Sequence, residues 1–165
     1  MTLTLILMRH AKAAPGGGGP DHDRPLTDRG RQGAAKVGRW LAAEGIVPDE
    51  ALVSTAARTR ATWEGVLAAA GWTLDVTPTP RLYDAPASAV RAAVAEARGR
   101  TVLVVGHNPS TGRTAATLAR AAPDHERFGD YPTAATTVLR FDAADWGAAM
   151  RGTGEVVAFA VPADL

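Results

Sequence analysis

The chain has 165 residues, of which 46% are hydrophobic and 21% charged, and this size and composition fit a globular domain rather than a disordered chain. Its formal net charge of +1 gives no overall field that would attract a nucleic acid or an acidic membrane. The chain contains no cysteine, which excludes disulfides and thiolate metal sites and fits a reducing compartment. It also lacks a signal-peptide pattern and an apolar run near the roughly 20 residues that span a bilayer. We therefore expect a cytoplasmic protein without membrane partners, folded as a single domain over residues 1–165.

The first half of the chain alternates short apolar runs with segments of helical periodicity. Four glycines between two prolines interrupt it early and predict a loop, because such a run sustains neither a helix nor a strand. In chain order, the pattern predicts a strand over 3–8, this loop over 13–25, a helix capped by Thr27 and stopped by Gly45, a strand over 51–54, a helix over 58–70 and an edge strand over 72–78.

The second half continues the alternation. It predicts a helix from Pro86 to Gly99, the most apolar strand of the chain over 101–106, a helix over 110–121, and two strands over 135–141 and 154–162 that are separated by a loop. Strands that alternate with helices indicate an α/β fold with a mostly parallel central sheet and helices on both faces.

Basic and imidazole side chains follow three of the predicted strands. The first strand runs into Arg9 and His10, the strand over 101–106 runs into His107 and Asn108, and Arg58 opens the helix after the strand over 51–54. Ligands of open α/β sheets bind outside the carboxyl ends of the strands. One histidine after a strand is commonly structural, but four such residues at the ends of strands in one sheet predict a site.

Two arginines and two histidines suit a phosphoryl group. The guanidinium forks match the oxygens of a phosphoryl group and stay charged at any working pH. One neutral imidazole can act as a nucleophile, and the other can donate a hydrogen bond to the phosphoryl oxygens. The arginines would repel a divalent cation, and no carboxylate lies at a ligand-like spacing from either histidine, so we expect no metal and no cofactor.

Other polar features of the sequence are interpreted more simply. The run "GGGGP" lacks both the Walker ending and the GxGxxG pattern, which favours a flexible loop at the rim of the site. His22 and His125 stand in polar stretches and are expected to be exposed.

Four ordered motifs resemble the histidine phosphatase superfamily, the group that includes the phosphoglycerate mutases. They are "LMRHAKA" (7–13), "RPLTDRG" (24–30), "STAARTRAT" (54–62) and "VGHNPS" (105–110). Together with the compact length, they are most similar to the SixA-type phosphohistidine phosphatases. The resemblance therefore implies the phosphoglycerate mutase-like fold.

The resemblance also implies roles for single residues. His10 would be the nucleophile that becomes phosphorylated, Arg9 and Arg58 would hold the phosphoryl oxygens, and His107 would stabilise the transition state. In mutase-like members a glutamate after an Arg-Leu pair donates the proton to the leaving group, and "RLYD" (81–84) puts Asp84 in that place.

The remaining expectations about the site concern residues near these. Asp21 and Asp23 are the alternative acids, and Arg24 and Asn108 are expected to bind the substrate. Lys12 is interpreted either as a further contact to the substrate or as solvated surface. Two departures from the family pattern are Ala11, where the usual form has glycine, and the shorter acid at Asp84.

The predicted function is a cofactor-independent phosphatase that acts through a phosphohistidine intermediate on a phosphorylated protein or a small phosphorylated substrate. Phosphate would bind in the site, and nucleic acid would not be a partner. A departing imidazole, with a reference pKa of about 6.5, needs less protonation than an alkoxide, which favours phosphohistidine as the substrate. The alternatives are a small-molecule phosphomonoesterase or mutase of the same superfamily, and a phosphate-binding module without catalysis.

Overall fold

The computed structural model describes all 165 residues and contains five strands and five α-helices. In chain order they are β1 (Thr2–Arg9), α1 (Asp28–Ala43), β2 (Glu50–Val53), α2 (Ala57–Ala70), α3 (Ala87–Ala95), β3 (Thr101–Gly106), α4 (Ser110–Leu118), β4 (Thr136–Asp142), α5 (Trp146–Met150) and β5 (Glu155–Ala160). Short 3-10 helices cover Asp21–Asp23, Pro80–Leu82 and Pro162–Asp164.

The strands form one mixed sheet in the order β2-β3-β1-β4-β5. Strand β3 pairs in parallel with β1 and β2, whereas β4 pairs antiparallel with β1 and β5. The predicted α/β fold is confirmed, but the sheet is mixed rather than mostly parallel, since two of its four strand pairs are antiparallel. A return over a helix is required only between parallel strands, so the short connection from β4 to β5 through α5 suits the antiparallel pair.

Two apolar clusters cover the two faces of the sheet. On one face, Leu5, Leu7 and Val104 pack against buried residues of α3, α4 and α5. On the other face, Ile6 and Leu103 pack against α1 and α2. Because alternate residues of β1 point to opposite faces, both faces need apolar residues, and this explains the continuous apolar run of the first strand.

The register brings the carboxyl ends of three parallel strands to one edge. Arg9 lies opposite Gly106, and Val53 lies opposite Val105. The His10 amide then donates to the Gly106 carbonyl at 2.9 Å. The residues that follow β1, β2 and β3 are therefore neighbours in space.

Some predicted boundaries differ from the structure. Residues 72–78 form no strand: Trp72, Leu74 and Val76 alternate towards the core, but only Thr79 bridges to Ser54. Helix α3 ends at Ala95 rather than Gly99, α4 ends at Leu118, and the predicted loop between the last two strands contains α5. Side-chain patterns report which residues are buried, but not whether a backbone finds a partner strand.

None of the helices is both long enough and apolar enough to span a membrane.

Candidate active site

The four predicted site residues lie together at the carboxyl ends of the parallel strands. The ring centroids of His10 and His107 are 5.4 Å apart. Arg58, in the first turn of α2, is buried, as are both histidines. Arg9 and Arg58 are near enough that their charges act on both histidines. The structure therefore places two imidazoles and two guanidiniums in one cluster.

His10 is held in one orientation by the residue that follows it. Its Nδ1 lies 2.7 Å from the Ala11 carbonyl oxygen, which can only accept a hydrogen bond. Nδ1 therefore carries the proton, and Nε2 carries the lone pair. The Ala11 amide in turn donates to Thr62 Oγ1 at 2.9 Å, which fixes the backbone of this turn to α2. Burial lowers the pKa of His10 to about 3, so the imidazole is neutral at ordinary pH.

His107 is likewise a neutral imidazole. Burial, followed by the charge of Arg58, lowers its pKa to about 4. Its Nε2 lies 2.8 Å from Ser54 Oγ, a residue at the end of β2. Its Nδ1 is buried and has no hydrogen-bond partner in the protein.

Arg9 and Arg58 each use some guanidinium N–H groups to bind the protein and leave others without a partner. Arg58 donates from one nitrogen to the Asp21 carbonyl at 2.9 Å and from another to Asp21 Oδ2 at 3.1 Å. Arg9 donates to the Tyr131 carbonyl at 3.2 Å. The Nε atoms of both arginines are buried without a partner. Buried donors without partners are costly, which is consistent with a site that an anion completes.

Asp21 closes one side of this cluster as an ionised carboxylate. Besides Arg58, it accepts hydrogen bonds from Tyr83 Oη at 2.7 Å and from Arg24 Nε at 2.9 Å. These bonds, with that of Tyr83 the largest, hold the pKa of Asp21 well below its usual range. The ring of Tyr83 meets that of His107 edge-on, with centroids 5.6 Å apart. Asp21 and Tyr83 are therefore parts of the site, although the sequence pointed to Asp21 only as an alternative acid.

An open cavity of about 400 Å³ lies over the cluster. Asp21, Arg58, Asp84 and His107 line it, whereas Arg9 and His10 do not. Helix α4 begins at Ser110, which also lines the cavity, and the free amides of a helix N-terminus favour an anion.

Asp84 is exposed and has a φ of 51°, which is uncommon for a residue other than glycine and is found at functional sites. It does not cap α3, because the N-cap position is Pro86 and no side chain caps that helix. The Asp84 side chain therefore lines the cavity without capping the helix.

The other predicted residues occupy different places. Arg24 lies outside the cavity lining, where it contacts Asp21 and the Ala14 carbonyl. Asn108 lines the cavity, but its amide donates to the Tyr131 carbonyl and its Oδ1 accepts from Gly112. Asp23 is exposed beside His22 and does not line the cavity. Lys12 lines a different cavity.

The expectation that His22 and His125 are exposed is wrong. His22 is half-buried, with Nε2 2.8 Å from Thr55 Oγ1 and its ring against Tyr83. His125 is half-buried against Phe159 and lies 2.8 Å from Asp164. Sequence reasoning also missed Ser54, Tyr83 and Tyr131. For Ser54 the sequence signal was only that it ends the predicted strand over 51–54; its contact with His107 follows from the strand order of the sheet.

No group of three or more histidine, aspartate or glutamate side chains is arranged to hold a metal ion.

Comparison with known proteins agrees with this geometry. The sequence-family model of the histidine phosphatase superfamily (branch 1) matches residues 5–86 of this chain. An uncharacterized protein of Mycobacterium tuberculosis is 38% identical over 94% of this chain and 99% of its own length. A solved SixA structure from Nakamurella multipartitia, a proposed phosphohistidine phosphatase, is 33% identical with a TM-score of 0.81, covering 98% of this chain and 97% of that one.

A second SixA structure, from Agrobacterium tumefaciens, is 26% identical, with a TM-score of 0.78 and coverage of 97% of this chain and 98% of that one. These relatives cover 94–98% of the chain, and the family model and the SixA structures support phosphatase activity. The chain belongs to the histidine phosphatase superfamily.

Proposed function

We propose that the chain, acting as one domain over residues 1–165, hydrolyses phosphohistidine through a covalent phosphoryl intermediate on His10. The observation that carries this proposal is the fixed tautomer of His10, whose Nδ1 is bound to the Ala11 carbonyl. Its Nε2 makes no hydrogen bond in the protein, so the lone pair is available for attack. The SixA relatives, at 33% and 26% identity, support phosphohistidine as the substrate class.

In the first step, His10 Nε2 attacks phosphorus and the bond from phosphorus to the leaving nitrogen breaks. The leaving nitrogen keeps the electron pair. Arg9 and Arg58 hold the phosphoryl oxygens, and a donor on His107 stabilises the charge that develops on them. In the second step, water attacks phosphorus, the bond to Nε2 breaks with its electron pair returning to Nε2, and phosphate leaves as H2PO4− with both protons of the water.

The ionised Asp21 favours an imidazole as the leaving group. A phosphohistidine protonated on its second nitrogen leaves as neutral imidazole, so it needs a carboxylate to hold that N–H rather than an acid. Asp21 is held ionised by Tyr83, Arg24 and Arg58, and it lines the cavity with Arg58 and His107. When the phosphoryl group binds Arg58, the Asp21 carboxylate is released to accept this N–H.

Asp84 supports a second candidate, a small-molecule phosphomonoesterase or mutase. An alkoxide must be protonated as it leaves, and Asp84 is exposed at the cavity with no hydrogen-bond partner. Its backbone conformation, with φ of 51°, indicates that the position is constrained. A phosphate-binding module without catalysis is the third alternative, and turnover of any phosphate compound excludes it.

The test is a rapid-quench experiment with a phosphohistidine peptide labelled in the phosphoryl group. Label that is labile in acid and stable in base should appear on the protein, and it should be absent in His10→Ala. The control is His125→Ala, which removes an imidazole bound to Asp164 outside the site. Label on His10→Ala, or full activity of that variant, would contradict the mechanism.

Substrate class is tested with a panel of the same phosphohistidine peptide, a phosphoserine peptide, p-nitrophenyl phosphate and sugar phosphates. We expect the highest kcat/KM for phosphohistidine. Activity should persist in EDTA, because the arginines supply the positive charge that magnesium supplies in other phosphoryl-transfer enzymes. A higher kcat/KM for a sugar phosphate would favour the phosphomonoesterase.

A further inference from the structure

A second cavity, of about 230 Å³, lies beside the segment that follows His10. Ala11 and Lys12 line it together with Thr133 and Ala134, and the Ala134 amide donates to the His10 carbonyl at 3.0 Å. Arg29 and Arg127 also line it, and no carboxylate does. This cavity is therefore basic and adjoins the turn that carries His10.

The basic surface continues along α1. A third cavity, of about 380 Å³, is lined by Lys36, Arg39 and Trp40 of that helix and by Leu165. At a rise of about 1.5 Å per residue, Arg29 and Arg39 are separated by about 15 Å along the helix. We call Lys12, Arg29, Lys36, Arg39 and Arg127 the basic strip.

Most of the basic strip forms no ion pair within the protein. The ion pairs of lysine and arginine side chains are formed by Arg24, Arg31, Arg58, Arg81 and Arg127, so four of the five residues of the strip are unpaired. Of the carboxylates nearby in sequence, Asp28 pairs with Arg31, Asp130 with Arg127 and Asp164 with His125, and Glu126 acts on Arg127 without forming an ion pair.

The backbone at the catalytic end of the strip is held in place. The Lys12 carbonyl accepts hydrogen bonds from the amide of Thr27 at 2.9 Å and from its hydroxyl at 3.2 Å. Gly30 allows this contact, because a Cβ there would lie 2.1 Å from the Lys12 carbonyl oxygen. The Lys12 backbone and the first turn of α1 are therefore in direct contact next to His10.

We propose that the basic strip binds an acidic segment of a phosphohistidine protein whose phosphoryl group enters the catalytic cavity. This proposal rests on the proposed function. A strip of about 15 Å spans four to five residues of an extended chain, whereas a single phosphate would contact only one end of it. Two carboxylates, Asp21 and Asp84, line the catalytic cavity, whereas none lines the cavity at Lys12, so the strip suits the acidic residues of a substrate better.

The first test measures binding without catalysis. Two unphosphorylated, fluorescein-labelled peptides carry a central histidine flanked on both sides by either glutamates or glutamines. The wild type should bind the glutamate peptide about tenfold more tightly than the glutamine peptide at low salt, and added salt should remove the difference.

The variant Arg29→Glu/Lys36→Glu should abolish the preference for the glutamate peptide. Both residues are exposed on α1, and glutamate is a good helix former, so the helix should persist. The control is Arg91→Glu/Arg151→Glu, which makes the same charge change on the α3–α5 face and should keep the preference. Equal binding of the two peptides by the wild type, or loss of the preference in both variants, overturns the proposal.

The second test uses the same peptides phosphorylated on histidine, with p-nitrophenyl phosphate as the reference. The strip variant should lose about tenfold in kcat/KM for the glutamate peptide and keep its activity on p-nitrophenyl phosphate. If neither phosphopeptide is hydrolysed while p-nitrophenyl phosphate is, the proposed function fails, and the binding test still decides the role of the strip. Tighter binding of a single-stranded DNA oligonucleotide than of the glutamate peptide would overturn the assignment to an acidic protein segment.

Discussion

At the scale of single residues, burial keeps the imidazoles of His10 and His107 neutral. An imidazole in water is partly protonated near neutral pH, and its protonated form is no nucleophile. In this protein the burial of both rings, aided by the charges of Arg58 and Arg9, favours the neutral forms. Besides the phosphoryl contacts proposed for them, the two arginines therefore help to keep His10 unprotonated.

This charge state predicts a dependence of stability on pH. The folded-state pKa of His10, about 3, lies below the unfolded value of about 6.5. The unfolded chain therefore binds more protons between these values, and stability is fully present above pH 6.5 and is lost as the pH falls. The slope for His10 is at most about 1.4 kcal/mol per pH unit. Urea unfolding at pH 7, 6 and 5 should show a smaller loss in His10→Gln than in the wild type. Parallel losses in the two proteins would contradict the neutral assignment.

Two isosteric substitutions should give opposite substrate profiles. Asp21→Asn removes the carboxylate proposed to hold the imidazole N–H, and hydrogen bonds to charged groups contribute about 1.5–3 kcal/mol. We therefore expect a loss of about 10- to 100-fold in kcat/KM for a phosphohistidine peptide.

Asp84→Asn should slow the hydrolysis of an alkyl phosphate by about 10²- to 10⁴-fold, the range of general acid catalysis. It should slow the hydrolysis of phosphohistidine or of a nitrophenyl phosphate far less, because these leaving groups need less protonation. Each variant is the control for the other. Equal slowing of all substrates in both variants would contradict the roles proposed for Asp21 and Asp84.

How far the sequence predicted the site depends on the kind of contact. Arg9, His10, Arg58 and His107 were predicted to meet because each follows a strand of the same sheet, and the structure brings them together. The pairing of Asp21 with Arg58 joins residues 37 apart through a loop, and no periodicity reports where a loop lies. The contact between Ser54 and His107 depends on strand order, which the sequence did not provide.

At the scale of elements, close contact between backbones places the site. The first turn of α1 lies against the Lys12 carbonyl at Gly30, and α1 lies against the Val66 carbonyl of α2 at Gly38. The predicted helix over these residues followed from apolar spacing at Ala34, Val37 and Leu41. The spacing did not predict which backbone groups Gly30 and Gly38 contact, because a glycine within a helical pattern does not indicate what packs against it.

Gly30→Ala should therefore destabilise the protein. The new Cβ would lie 2.1 Å from a backbone oxygen, so the helix or the Lys12 turn must move, and such overpacking costs about 1–3 kcal/mol. The matched control is Gly17→Ala, because a Cβ at Gly17 meets nothing within 4 Å. The control should change the free energy of unfolding by about 0.5 kcal/mol or less. Urea unfolding measures both, and equal effects would show that the α1 contact adapts freely.

At the scale of the whole molecule, the net charge of +1 conceals an uneven distribution. Carboxylates and the buried cation Arg58 share the catalytic cavity, and five cations, four of them unpaired, form the strip. The apolar runs over 3–8 and 101–106 correctly predicted β1 and β3, whereas the strand predicted over 154–162 is shorter in the structure, where β5 covers Glu155–Ala160. The sheet supplies a rigid edge, and the loops that cross it determine which charges meet there.

Inorganic phosphate should stabilise the fold through this edge. The buried Nε atoms of Arg9 and Arg58 and the Nδ1 of His107 lack partners in the free protein, and an anion that reaches them binds the folded state but not the unfolded chain. At a concentration 100 times its Kd, phosphate contributes about 2.7 kcal/mol. For a chain of this length that raises Tm by about 5–11 °C.

Thermal unfolding in increasing phosphate, with EDTA present throughout, measures this effect. Arg58→Ala should lose most of the shift, because it removes a buried guanidinium that lines the cavity. The control Arg91→Ala removes an arginine of α3 that does not line the cavity and should keep the full shift. Chloride at the same ionic strength separates specific binding from screening, because screening acts on exposed charges regardless of the identity of the ion. A shift that is the same in chloride, or unchanged in Arg58→Ala, would contradict a phosphate site at this cluster and, with it, the role proposed for the buried arginines.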